Sequence, residues 1–471
     1  MKKALAWAAV GVAAVVMGCS PTPRGPAPAQ KAASPAATKM AGNAGCAQAG
    51  DAKAVAFAVG WCTDADPAKA GQTAAAEALK ALGCPVKGLI FYEYFAKTTK
   101  DKDGKSKDVL DTEREKKVLP AVRAAAPGVP LIGCRALTLT NGGSQRPNTV
   151  AVLAIGGDRV ACKAVKQALA DDRKAVGTAI AAALKDVAGL KMVFALSEMR
   201  LSFETKEGVS VEDLIRGILD TAGKDVVLFG GNCMPNDYET DKGGVQFLND
   251  EMLSGHVVAL GIGGPIAVFA NHTNEFIPST ETVQVTKAEE KWVYELDGRP
   301  APDVYRQIRG MKADEAFTSD SQHPIGVIVA PGKVYLRMVL EESKEKRALR
   351  FVAPVPVGTK VKILKGGADA QAILESAKDA VVQSVYAAGD AKPVALLVSD
   401  CCARGARLLQ FRKGAECEVD DAIRPALGSR TIPIFGFYAW GELGPIAGPF
   451  AGLSCMYQQH TFVSALICEG K

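Results

Sequence analysis

From Ala54 onward, short apolar runs rich in Val, Ile, Leu and Phe alternate with longer amphipathic segments. A strand-length run with no polar face must be buried on both sides, and a helix-length segment between two such runs is the crossover that a parallel pair requires. The pattern therefore predicts an α/β protein, with mixed sheets covered by helices. Strands are expected at 54–60, 88–95, 129–133, 149–155, 191–197, 226–230, 256–262, 265–271, 324–330, 334–339, 394–399, 432–438 and 461–467. Helices are expected at 68–82, 111–126, 163–186, 210–222, 300–309, 369–388 and 418–425. Lys100 to Lys107, centred on Asp103-Gly104, is a solvated turn. With 48% hydrophobic and 23% charged residues in 471, the chain can bury a sizeable core. The stretch 310–324 lacks a clear period, so two lobes are expected, 53–310 and 311–471, with one continuous body closing there as the equal alternative.

The first residues follow a different logic. A two-lysine start, an uncharged apolar run from Ala4 to Met17 and a small residue before Cys19 make 1–18 a secretory signal peptide. As a helix the run would cover only about 21 Å of a hydrocarbon core of roughly 30 Å, too short to span. Val16-Met17-Gly18-Cys19 resembles the bacterial lipobox, whose cysteine receives a diacylglycerol, so Cys19 is the expected lipid attachment. Residues 19–52 carry Pro21, Pro23, Pro26, Pro28 and Pro35 among Ala, Gly, Lys and Gln, a flexible tether from which no core can form. The expectation from these features is a body outside the cytoplasm, in a bacterial periplasm or at the outer membrane, held to a bilayer through Cys19; the alternative is a soluble secreted protein with an ordinary cleavage site.

Composition excludes several classes. Lys plus Arg exceed Asp plus Glu by 56 − 51 = 5, which leaves no electrostatic footprint for nucleic acid. With four histidines and no Cys-x-x-Cys, no metal site and no cofactor are expected. Of the 12 cysteines, Cys19 is assigned to lipid, and the odd remainder requires a free thiol or a pairing between chains.

Two segments could carry chemistry. Ala395 to Gly405 is a buried strand running into a polar turn with Asp400, Cys401, Cys402 and Arg404. At a helix start these would form an anion pocket or a reactive thiolate; equally, they form a strand-end cap in which Arg404 pairs with Asp400, Glu416 or Glu418. Phe435 to Pro445 surrounds Glu442 with Phe437, Tyr438 and Trp440, suiting an amino-bearing ligand or, alternatively, a packed core. Three runs, Leu131-Ile132-Gly133, Leu228-Phe229-Gly230 and Ile434-Phe435-Gly436, end alike, as a weak repeat or as ordinary strand terminations.

Taken in order, Cys401-Cys402-Ala403-Arg404, Glu416 or Glu418, Gly436 to Leu443 and Gln459-His460-Thr461 resemble the C-terminal half of the FIST family. Leu131 to Cys134, Phe229-Gly230-Gly231-Asn232, Val285 to Ala288 and Glu295 to Ala301 with Tyr305 are similar to its N-terminal half. Gln459 stands where the family usually has Asn, and Arg135-Ala136-Leu137-Thr138-Leu139 replaces the usual Ser-Thr-x-Gly-Glu run. The resemblance implies a sensory module for a small ligand, with an amino acid or small carboxylate expected. The implied ligand-binding residues are Cys401, Arg404, Tyr438, Trp440, Gly441, Glu442, Gln459, Thr461, Gly231 and Cys134. Because no output domain is recognised before Lys471, a separate signalling membrane protein is the expected partner. Arg404 and Glu442 are expected to grip the two ends of one amino acid. The rival readings are a cysteine-dependent enzyme, with Cys401 as nucleophile, His460 as base and Glu442 as orienter, and a structural or interaction lipoprotein.

Overall fold

The computed structural model describes residues 54–100, 106–140, 147–201, 206, 208–237, 241–312, 324–365, 369–410, 418–450 and 453–470. The signal segment, Cys19, the tether, Cys46, the Asp103-Gly104 turn, residues 313–323, Glu416 and Cys417 lie outside them.

The body is α/β, with its strands in mixed sheets and its helices against them. Three sheets share one plan, and each is built around one copy of a strand–helix–strand–helix–strand–strand unit. In the first copy these are Ala56–Thr63, Pro67–Leu82, Val86–Tyr94, Val118–Ala125, Leu131–Arg135 and Thr149–Gly156. The second comprises Ala161–Ala168, Arg173–Ala183, Leu190–Ser197, Val211–Ala222, Val227–Asn232 and His256–Gly263. The third comprises Ile266–Thr273, Ala370–Ala388, Pro393–Cys401, a π-helical turn at Glu418–Ile423 leading into Arg424–Leu427, then Ile434–Ala439 and Phe462–Glu469. In every copy the first strand pairs antiparallel with the last, the last antiparallel with the second, and the second parallel with the third.

Each copy also lends a strand to a neighbour. Thr138–Thr140 of the first joins the third sheet, Glu442–Phe450 of the third joins the second, and Gln246–Leu248 of the second joins the first. The exchange is cyclic, so the three sheets cannot separate without breaking main-chain ladders. It also crosses the lobe boundary expected near 310, as does the ladder between Ile266–Thr273 and Phe462–Glu469.

The inner faces of the three sheets bury one core, to which Ile90, Ile132, Phe194, Phe229, Leu397 and Phe435 belong. The outer faces bury separate cores under the helices. The three similar strand ends prove to be the equivalent third strands. At Gly133 and Gly436 an added Cβ would come to 2.5 and 2.7 Å from the carbonyl oxygen of the parallel neighbour, Phe91 or Val398, and at Gly230 it would come closer still to that of Ala195. Glycine is thus required inside these strands by close backbone approach, not by a turn beyond them.

Each copy's first helix begins with an aspartate whose carboxylate accepts backbone N–H groups of the first turn: Asp66, Asp172 and Asp369. A cap of this kind is worth about 1 kcal/mol. Asp369→Ala should lower urea-unfolding stability by that amount, and an unchanged value would show that the long helix holds its start by packing alone.

Between the first strand and first helix of the third copy, the chain builds a separate nine-stranded sheet from strands within 277–365, with the helix Ala301–Arg309 between two of them. It packs against the second copy's outer core. Tyr335 donates to the Tyr457 carbonyl at 3.0 Å, and Arg337 pairs with buried Glu212. Most of the expected strands and helices are present. The expected helix 111–126 is two, Thr112–Glu115 and Val118–Ala125, that at 418–425 opens as a π-helical turn, and 163–186 departs furthest: Ala161–Ala168 is a strand, and the helix starts at Arg173. The Ala, Lys and Gln in that run favour a helix locally, but pairing with His256–Gly263 overrides propensity.

Candidate functional site

Arg404 lies in the helix Cys402–Gln410 and is completely buried. Its guanidinium donates from Nε to Asp400 at 2.7 Å, from one terminal nitrogen to Glu275 and to Ser376 Oγ, and from the other to the Ile373 carbonyl at 3.0 Å and Glu418 at 3.4 Å. A guanidinium has five N–H groups, and all are used. This corrects the expected open fork for a ligand carboxylate: Arg404 ties the third copy's second strand to both of its helices and to Glu275. Burial alone would lower its pKa, but Asp400, Glu275 and Glu418 together hold it up. Tyr438, in the strand Ile434–Ala439, donates to Glu418 at 2.9 Å and belongs to the same network. Burial, then Glu418, pushes the Asp400 carboxyl up.

Glu442 opens the strand that the third copy lends to the second sheet. Its register neighbours are Gly231 on one side and Gln458 on the other. Leu443 packs into the outer core of the second copy, so alternation turns Glu442 to the opposite face. There its Oε2 accepts the Thr461 N–H at 3.2 Å, and the Cys401 thiol lies beside the carboxyl. Oε1 has no nitrogen or oxygen donor among the described residues. Burial, then Cys401, pushes this carboxyl well above the usual range.

Gly231 is what brings the copies together, because a Cβ there would meet the Gly441 carbonyl at 2.8 Å, Ala439 Cβ at 3.0 Å and Ser399 Oγ at 3.1 Å. Asn232 then fixes the join: its Nδ2 donates to the Trp440 carbonyl at 3.2 Å, its N–H to the Gly441 carbonyl at 3.0 Å, and its Oδ1 accepts Tyr457 Oη–H at 3.0 Å. Thr461 donates its hydroxyl to the Gln459 carbonyl at 3.0 Å.

The structure thus gathers Cys401, Gly231, Trp440, Gly441, Glu442, Gln459 and Thr461 at the ends of the second and third sheets. Arg404 and Tyr438 stand in the ion-pair network behind them. Cys134 is elsewhere: it pairs with Gln246 in the first sheet, and its titratable neighbours are Cys233, Glu93 and Arg135. Ser399, Gln458 and Glu275 were not singled out from sequence. Ser399 sits inside an apolar run, and Glu275 acts across 129 positions.

Of the catalytic arrangement of Cys401, His460 and Glu442, the thiol and the carboxyl are neighbours, but among the described residues no hydrogen bond joins the His460 ring to either. Burial, then Cys402, pushes the Cys401 thiol well up, outweighing the backbone N–H groups of Ala403 and His460 that approach the sulfur. That corrects the depressed thiol expected at a helix start. The His460 ring instead packs edge-on against Phe276 at 5.5 Å, and the charged groups near it are Glu275, Arg407 and Arg404. Burial lowers its pKa from 6.5 to about 4. The folded state then binds fewer protons than the unfolded chain between these values, so stability is lost as pH falls from 6.5 toward about 4. Residue 460 has a φ of 54°, which asparagine tolerates. His460→Asn should therefore flatten this acid limb in unfolding measured across the window, while an unchanged limb would assign it to other groups.

The body is thus a cyclic three-copy α/β fold with a polar cluster at its sheet ends. The chain matches the FIST N domain over residues 109–299 and the FIST C domain over 301–445, and it belongs to the FIST family. Two uncharacterized Mycobacterium tuberculosis proteins, from strains CDC 1551 / Oshkosh and ATCC 25618 / H37Rv, are each 30% identical over 180 residues, 36% of this chain and 44% of their own length. The chain thus spans less than half of these relatives. Among solved structures, cyanuric acid hydrolase from A. caulinodans is similar at 12% identity and a TM-score of 0.24 over 45% of this chain and 71% of its own. T. maritima PurL complexed with ADP is similar at 9% and 0.22 over 88% and 71%.

Proposed function

We propose that this protein is a membrane-anchored, extracytoplasmic sensory module that binds a small polar ligand, of the amino acid or small carboxylate class, and signals through a separate membrane protein. One observation carries the binding site. Where the second and third sheets meet, Glu442 Oε1, Gln458 Oε1, Gln459 Oε1, Ser399 Oγ and Trp440 Nε1 are all buried without hydrogen-bond partners. Native interiors leave few such atoms unsatisfied, because each costs about 1–3 kcal/mol. A polar ligand at this junction satisfies several at once. FIST family membership supports the sensory role, and the signal-peptide pattern with Gly18-Cys19 supports the anchor.

A ligand that binds only the folded state raises stability by about 2.7 kcal/mol at a hundredfold excess over Kd. A thermal-shift panel of amino acids and small organic acids should therefore contain hits that Glu442→Gln weakens. A panel with none would remove the reading. The anchor is tested separately: mass spectrometry should find an acylated Cys19, and membrane attachment that persists in Cys19→Ala would exclude it.

A further inference from the structure

Glu442 and Gln458 are opposite each other in an antiparallel pair, so their side chains stand on one face with Cβ atoms about 5 Å apart. Both are fully buried. The Gln458 amide is oriented by its neighbours, since Nε2 donates to the Gly444 and Pro445 carbonyls at 3.2 and 3.3 Å. Reversing it would set oxygen against two oxygens, so Oε1 is the free end. Glu442 Oε2 is already occupied as an acceptor by the Thr461 N–H. Glu442 Oε1 and Gln458 Oε1, carried by residues opposite each other in register, are therefore both left without a partner, and the donors described at that carboxyl are the Thr461 N–H on Oε2 and the Cys401 thiol. The nearby cation, Arg404, has every N–H committed to Asp400, Glu275, Ser376, Ile373 and Glu418. Among the described residues no cation forms an ion pair with this carboxyl, and an alkylammonium group supplies one.

We propose that Glu442 and Gln458 form an amine subsite, in which a ligand's primary ammonium group is held by the two orphaned oxygens, and that a ligand carboxylate is not read by Arg404. The inference rests on the ligand-binding reading above and specifies which end of the ligand is recognised. Proton balance follows from the burial. Without ligand, a completely buried carboxyl beside a thiol keeps its proton, which Oε1 can turn toward the Gln458 carbonyl oxygen opposite it, and an ammonium group takes the place of that proton. When an ammonium arrives, the carboxyl ionises to pair with it, and one proton leaves to solvent. The groups that face Glu442 are Cys401 on the adjacent sheet's strand and, more remotely, Arg404. Neither titrates in the neutral range, the thiol being held high and the guanidinium paired.

Isothermal titration of the full chain with L-norvaline, butylamine and pentanoate, at pH 7 in buffers of different ionisation enthalpy, tests this. Norvaline and butylamine should bind with release of close to one proton each, and pentanoate should bind at least tenfold more weakly. Glu442→Gln should abolish proton release and cost at least about tenfold in affinity for the amines. Gln458→Leu should weaken the amines while leaving proton release in place. Binding of pentanoate equal to or tighter than that of butylamine, or amine binding without proton release, would overturn the amine subsite while leaving a ligand site intact. Failure of all three to bind, together with an empty thermal-shift panel, would overturn both readings.

Discussion

Arg404→Ala is expected to destabilise the folded protein by about 3–5 kcal/mol, the cost of leaving buried charges without their partner. Glu275 keeps Arg407 at 2.9 Å, but Asp400 and Glu418 lose their cation. The loss should grow with pH. Asp400, which burial and Glu418 already push up in the parent, loses the guanidinium that holds it down, so it keeps a proton that the unfolded chain has released and stability falls further as pH rises above the ordinary carboxylate range. Unfolding in urea at pH 5 and pH 8 should therefore show a larger deficit at pH 8. Arg404→Lys should recover only part of it, because a single ammonium cannot reproduce a fork that spans three carboxylates, a hydroxyl and a carbonyl. A variant within about 1 kcal/mol of the parent at pH 8 would mean that the network relaxes or hydrates, contrary to its complete burial.

Gly230→Ala should be the other severe change. The new methyl would overlap the Ala195 carbonyl oxygen, and φ at Gly230 is +141°, a region that side-chain-bearing residues avoid. Steric overlap with a backbone that is itself laddered, added to the φ penalty, gives a loss of about 4 kcal/mol or more. Gly133→Ala and Gly436→Ala test the same contact at the equivalent positions without a positive φ and should cost less. Gly298→Ala is the control: φ is +72°, but no atom lies within 4 Å of the added methyl, so only the conformational penalty of about 1–2 kcal/mol remains. Equal losses at Gly230 and Gly298, read as unfolding midpoints, would remove close approach as the reason for glycine.

A smaller effect of opposite sign follows at Glu93, whose carboxyl is fully buried with neither oxygen hydrogen-bonded. Burial, then Glu115, pushes its pKa well up despite Arg135, so the folded protein holds a proton there that the unfolded chain loses. Glu93→Gln should therefore be neutral at acid pH and stabilising as pH rises.

The sequence by itself determined the elements and the family. Apolar runs of strand length separated by amphipathic segments locate most strands because burial on both faces leaves no choice of residue type, as at 191–197 and 394–399. The order of motifs from Leu131 to Thr461 was sufficient to point to the FIST family. Ala161–Ala168 was misread because its helix-favouring composition is overruled by a ladder to residues nearly a hundred positions away. The cyclic lending of Thr138–Thr140, Gln246–Leu248 and Glu442–Phe450 has no local signature, since a strand's partner is chosen by what lies next to it in space. The same limit governs the site. Arg404 had several acids within reach in sequence, and only the fold brought Glu275 to its remaining N–H and closed the fork. Glu442 was visible as a lone acid among aromatics, but its place opposite Gln458 rather than in the Arg404 network comes from strand register.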